Sequence, residues 1–152
     1  MICAIEEKRL SKKFNVKVRP HQGANIIDMY DHINPYLRKK PKYLIMHVAT
    51  NDTSMKDKSS EEIFDQLLEL KRYIESKVHD IKVTISCPIV RSDNGIANLK
   101  VNHLRNKLKS ANISIIDNEN INYECLGKKG LHMTSKGITR LAMNFISFIR
   151  RL

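Results

Sequence analysis

The stretch His47-Val-Ala-Thr-Asn-Asp52 sets an imidazole, a hydroxyl, a carboxamide and a carboxylate in close succession after the apolar run Tyr43-Leu-Ile-Met46. Two chemistries suit it. Thr, Asn and Asp side chains hydrogen-bond nearby backbone, so the stretch reads as a capped, turn-forming exit from a strand. The same groups can build an anion-stabilising loop, because a carboxamide N–H donates to a developing oxyanion without being titrated itself. Far downstream, Gly130-Leu-His-Met-Thr-Ser-Lys-Gly137 places His132, a natural general base near neutral pH, just before a final helical pattern. His47, Asp52 and His132 could share a metal only if three distant loops converged. Cys3, Cys87 and Cys125 are widely spaced with no C-x-x-C pair, which reads as free thiols in a reducing compartment; Cys87 is most simply a small core residue. There is no P-loop, G-x-G-x-x-G or H-E-x-x-H, so no cofactor is expected and nucleotide-dependent or zinc-hydrolase chemistry lacks its usual support.

The elements that must position these residues alternate between helix and strand. Residues 2–12 place Ile2, Ile5 and Leu10 on a helical face, and residues 15–19 alternate like a strand that stops at Pro20. Gly23 precedes a helix with Ile26, Ile27, Met29, Tyr30 and Ile33 on its apolar face, and Asn34-Pro35 is expected to break or restart it. Residues 42–48 read as a strand covered on both faces. Ser59 and Glu62 form a capping box that opens an acidic helix over 59–80, with Ile63, Phe64, Leu67, Leu68, Leu70 and Ile74 turned inward. Residues 82–89 make the next strand, and Ile96, Leu99, Leu104 and Leu108 mark a basic helix. Residues 113–117 make a fourth strand and 135–152 a closing helix. Strands separated by helices imply a three-layer α/β/α sandwich with a mostly parallel sheet, in one domain spanning 1–152. Ligands of such sheets bind at the carboxyl ends of the strands, which places the loops at 47–53, 88–95 and after Asp117 on one rim.

At 152 residues the chain is long enough to bury a core, and no apolar stretch approaches the length of a membrane span. Glu6, Glu7 and Lys8 interrupt the N-terminus before a secretory segment can develop, so an intracellular location, cytoplasmic or nuclear, is expected. The formal charge is +11 and uneven: residues 127–152 carry six Lys or Arg and no acid, while the 59–80 segment carries six acids and three bases. Such asymmetry steers polyanions to one side, making nucleic acid a candidate partner, although lysine pairs such as Lys39-Lys40 and Lys128-Lys129 also serve as ordinary solubilising surface.

Gly23 before a helix, Ala49-Thr-Asn-Asp52 at a strand exit and the Gly130–Gly137 segment before the last helix occur in an order that resembles the SGNH, or GDSL-type, hydrolase superfamily. The closest resemblance is to esterase-like domains within proteins of certain animal retrotransposons, and it covers essentially the whole chain. It implies a flavodoxin-like sandwich and ester chemistry. By motif, Gly23 supplies an oxyanion-hole amide, Asn51 an oxyanion-hole side chain and His132 the base.

The family's serine lies in a strand-Gly-Asp-Ser block before the first helix, and Met1 falls where the residue after that serine would stand. The nucleophile and its strand are therefore expected to be missing. Cys3 is the nearest substitute; Ser86, Ser92 and Ser114 lack the strained turn of a nucleophile. The family's Asp three residues before the histidine is Lys129 here, which cannot accept an imidazole proton, so Asp117 or Glu119 is the carboxylate to look for. The loop glycine is replaced by Ala49, expected to be a mild change. Without its interior strand, the sheet either closes up or is completed by a second chain, so self-association is a further expectation. Two uses follow: an inactive or truncated esterase remnant acting as a basic binding or assembly module, or an active hydrolase of a small ester whose serine lies upstream of Met1.

Overall fold

In the computed structural model, which describes residues 14–152, three strands form one parallel sheet in the order β1-β2-β3. β1 is Tyr43–Met46, β2 Lys82–Ser86 and β3 Ile115–Ile116. Tyr43 pairs with Lys82 and Met46 with Ile85, so the first two strands start and end together. Among the described residues four α-helices surround the sheet: α1 Met29–Leu37, α2 Ser60–Lys77, α3 Gly95–Ser110 and α4 Ser135–Ile149.

The period-two pleat sends alternate strand residues to two cores. Met46, Val83 and Ile85 join Ile33, Leu37, Ile63, Leu67, Leu70, Ile74, Leu104 and Leu108 beneath α1, α2 and α3. Ile116 joins Leu141 and Phe145 of α4 on the other face, with Ile45 packed against them. The arrangement is the expected α/β/α sandwich. Among the described residues no helix is long and apolar enough to cross a membrane.

Local signals hold where they are strongest. Ser59 Oγ accepts from the Glu62 amide at 3.1 Å while Glu62 accepts from the Ser59 amide at 2.6 Å, completing the capping box. Four expectations fail. Residues 15–19 form no strand; Val16 and Val18 instead pack against the α4-side core, so their alternation reports a half-buried segment. α1 starts at Met29, later than its apolar pattern, because Asn25 accepts from the amides of Ile27 and Asp28 in a turn and leaves Ile27 53% exposed. Pro35 neither breaks nor restarts α1, since it sits near the helix end, where few backbone bonds follow it. α3 buries Ala97, Val101, Leu104, Arg105 and Leu108, leaving Ile96 70% and Leu99 69% exposed. The helix at 2–12 and Cys3 lie outside the described residues.

Candidate functional site

The carboxyl rim of the sheet is assembled from four loops, each tied to the next by side-chain or backbone hydrogen bonds. After β1 the chain turns at Ala49, whose φ of +86° lies in the left-handed region that glycine prefers and whose side chain is fully buried. This corrects the expectation of a mild change: a Cβ at that φ adds backbone strain. Asp52–Ser54 then forms a short 3-10 turn.

Asn51 and Asp52 reach from this loop to the Gly23 loop. The Asn51 Nδ2 donates to the Ala24 carbonyl at 2.8 Å. The Asp52 carboxylate is completely buried; it accepts from the Ile26 amide at 3.2 and 3.3 Å and from Lys58 Nζ at 2.9 Å. A buried charge needs such pairing to persist. Gly23 has φ +80°, and the space where a Cβ would stand is open.

Arg91, in the loop after β2, joins the 47–54 loop to the next. Its guanidinium is 5% exposed with the residue; Nη1 donates to the Thr50 carbonyl at 3.0 Å and to Ser54 Oγ, while Nε and Nη2 grip the Asp93 carboxylate at 2.9 and 2.6 Å. This bidentate pairing, with smaller contributions from the charges of Arg91 and His132, holds the Asp93 carboxyl below its ordinary range. The adjacent Ser92 amide donates to the Gly130 carbonyl at 3.0 Å. Gly130, at φ +68°, permits this approach: a Cβ there would stand 2.4 Å from Ser92 Oγ and 2.6 Å from the Asp93 nitrogen. The loop carrying His132 is closed by an antiparallel bridge between Leu126 and Met133 and by the Gly127 amide donating to the His132 carbonyl at 2.7 Å. A continuous path of contacts thus runs from Gly23 through Asn51 and Arg91 to His132.

Other candidates are separated from this path. Asp117 and Glu119, considered as partners of His132, pair instead with Lys109 at 3.0 and 2.8 Å, and Asp117 also faces Arg105 at 3.7 Å. The carboxylate whose charge interacts with His132 is Asp93. His47 Nδ1 lies 2.9 Å from Ser86 Oγ, with the ring edge-on to Phe145, while Asp52 is committed to Ile26 and Lys58. The shared metal site does not form: among the described residues no three His, Cys, Asp or Glu side chains are placed to hold an ion. Ser86 is fully buried behind Asn118, and burial lowers the His47 pKa to about 4, so this serine–histidine contact is a buried polar link with a weak base and no access for substrate. Ser114 bonds Thr84 across the strands. Burial likewise raises the Cys87 thiol to about 11, as suits a core residue. Arg91 belongs to no sequence motif; its one local signal is Asp93 two positions on.

No protein-family model and no curated protein matches this sequence. Solved structures do match the fold. A point variant of an acetyl-xylooligosaccharide esterase from Geobacillus stearmophilus superposes with a TM-score of 0.66 at 14% identity, over 84% of this chain and 68% of that one. A lipase/acylhydrolase from Enterococcus faecalis gives 0.68 at 19% identity, over 84% and 71%. The fold is SGNH-hydrolase-like. An α/β hydrolase enzyme named LAE5, from the metagenome of Lake Arreo, Spain, gives 0.65 at 16% identity and covers 96% of this chain and 78% of that one. Within this SGNH-like frame, the rim path from Gly23 to His132 lies where such sheets bind ligands.

Proposed function

We propose that this chain is an esterase-like remnant that does not cleave esters by itself and serves as a basic binding or assembly module inside the cell. One observation carries the reading. Among the described residues nothing hydrogen-bonds the His132 ring, neither a hydroxyl or thiol to be deprotonated nor a carboxylate to orient the imidazole; Asp93 is held by Arg91, and Asp117 and Glu119 by Lys109. A base with neither partner activates a nucleophile poorly. Gly23 and Asn51 retain the means to hold a carbonyl, since Asn51 Nδ2 spends one N–H on Ala24 and has a second to offer. A small ester ligand is therefore expected to bind there without turnover.

The second reading is an ester or acyl-ester hydrolase whose serine comes from residues upstream of Met1. The continuous path from Gly23 to His132 favours it, because a rim that had lost all use would have no need to keep these loops in register. In that reading Gly23 and Asn51 are the oxyanion donors and His132 the base.

Incubation with a short-chain aryl ester and with a serine-reactive phosphonate, read by turnover and intact mass, tests the two. The expected result is no adduct and no turnover. Phosphonate labelling of a serine, with ester turnover lost in His132→Ala, would overturn the remnant reading. The same assays on a version with a strand-Gly-Asp-Ser block added ahead of Met1 separate the causes: rescue would favour the hydrolase reading with a serine supplied by such a block, and continued silence would point to the environment of His132. No described strand pairs with the outer edge of β1, which supports self-association as part of the proposal. A monomer by sedimentation at high protein concentration would remove that part.

A further inference from the structure

We propose that the amino end of the sheet, opposite the candidate site, is a groove for the phosphodiester backbone of single-stranded nucleic acid. β1 and β2 begin side by side at Tyr43 and Lys82, and α2 ends nearby at Lys77. Two adjoining cavities of about 480 and 370 Å³ open here, both lined by Lys40 and Lys77; Lys42 and His79 line the first and Arg38 the second. Among the described residues none of Arg38, Lys40, Lys42 and Lys77 has a carboxylate partner, whereas the lysines on the exposed faces of α2, α3 and α4 mostly do. The one acid lining the groove, Asp80, lies with its carboxylate 2.5 Å from His79 Nδ1 and is 86% exposed to solvent, which screens it from the cations. Lys77 stands 5.0 Å from the centre of the Tyr73 ring and Lys42 5.5 Å from that of Tyr43, so both cations lie against aromatic rings next to the cavities they line while their N–H groups stay available.

The shape decides what kind of polyanion fits. Cavities of this size exceed the need of one phosphate, since a water molecule occupies about 30 Å³ in the liquid, and the four cations are spread along both. A membrane-binding surface would pair its cations with inserted apolar side chains. The exposed large apolar residues, Ile27, Ile96, Leu99, Tyr123, Met143 and Leu152, line neither cavity. A recessed groove also admits a single strand more readily than the convex backbone of a duplex. Four cations spread along the groove favour recognition through phosphates, with little dependence on sequence.

Fluorescence anisotropy of a labelled oligouridylate against the full chain, at rising salt, tests the groove. Four phosphate contacts predict a slope of log K against log salt of about −2.8, and Lys40→Gln with Lys77→Gln should bring it to about −1.4 with weaker binding at low salt. Arg38→Gln with Lys42→Gln is an independent pair expected to do the same. Lys56→Gln with Lys128→Gln removes equal charge elsewhere and should leave both affinity and slope near those of the parent. Thermal melts confirm that each variant is folded. Equal losses from all three pairs would overturn the groove in favour of diffuse charge. Tighter binding to a duplex, to polyglutamate or to anionic vesicles than to the single strand would overturn the assignment of its ligand.

Discussion

Asn51 and Ala24, 27 residues apart in sequence, meet through a 2.8 Å hydrogen bond from the asparagine side chain to the alanine carbonyl. The next residue, Asp52, holds the Ile26 amide, so two adjacent side chains clamp the Gly23 loop at points on either side of Asn25. The Asp52 carboxylate is thus committed to structure, and Asn51 Nδ2 spends one of its two N–H groups on the Ala24 carbonyl.

Asp52→Ala should destabilise the fold by about 3 kcal/mol, because it leaves the Ile26 amide without its acceptor and the Lys58 ammonium without its counter-charge, with only Gln66 Oε1 at 2.9 Å left to accept from it. Urea unfolding at neutral pH measures it. Combining it with Lys58→Met should recover part of the loss, and a simple sum of the two single effects would mean that the pair is not coupled.

Ala49→Gly should stabilise the protein by about 1 kcal/mol and raise Tm by about 3 °C, since glycine relieves the positive φ at a cost in unfolded-chain entropy that is smaller than the strain. Calorimetry decides it. A lower Tm would mean that the buried methyl contributes more than the backbone strain removes.

His47 gives stability a mildly acidic dependence. Its pKa is lowered from 6.5 in the unfolded chain to about 4 in the folded one, first by burial, so the unfolded state binds a proton that the native state refuses. Stability is full above pH 6.5 and should fall by up to about 3 kcal/mol as pH drops toward 4. Glu62 and Asp93, whose carboxyls are held low by hydrogen bonds from Ser59 and Arg91, lose their contributions only at more acid pH. Urea midpoints across pH 7 to 4 should slope for the parent chain and flatten for His47→Gln; parallel curves would refute the assignment.

Gly130→Ala should cost about 2–3 kcal/mol and loosen the joint between the 91–93 and 127–132 loops, because its Cβ would overlap Ser92 and Asp93 at a strained φ. Hydrogen exchange is the direct readout. The Ser92 amide, bonded to the Gly130 carbonyl, should exchange faster while the Ile63 amide in α2 stays protected. Unchanged protection at Ser92 would show that the loops dock by other contacts.

Much of the fold was legible because its signals are local. The Ser59–Glu62 capping box, the unbroken apolar run of β1 and the inward stripe of α2 depend on a few neighbouring residues and on the helical and strand periods. Where one pattern served two structures, the chain alone could not choose. Residues 15–19 alternate, but alternation reports a half-buried segment and says nothing of a backbone partner. In α3, Ile96 and Leu99 suggested one face and Ala97 and Val101 another; packing against the neighbouring layer selected the second, leaving the larger side chains outside.

The candidate site divides in the same way. The sequence singled out Gly23, Asn51 and His132 through the order of motifs that carries the hydrolase resemblance, with residue types that suit the roles the resemblance implies. Only the tertiary structure decided that Arg91 joins their loops, that Asp93 rather than Asp117 or Glu119 lies in the field of His132, and that His47 belongs to a buried polar link. Each of these depends on distance between groups dozens of residues apart, and those distances are set by how the sheet and helices pack, a cooperative outcome of the whole chain that no short stretch encodes.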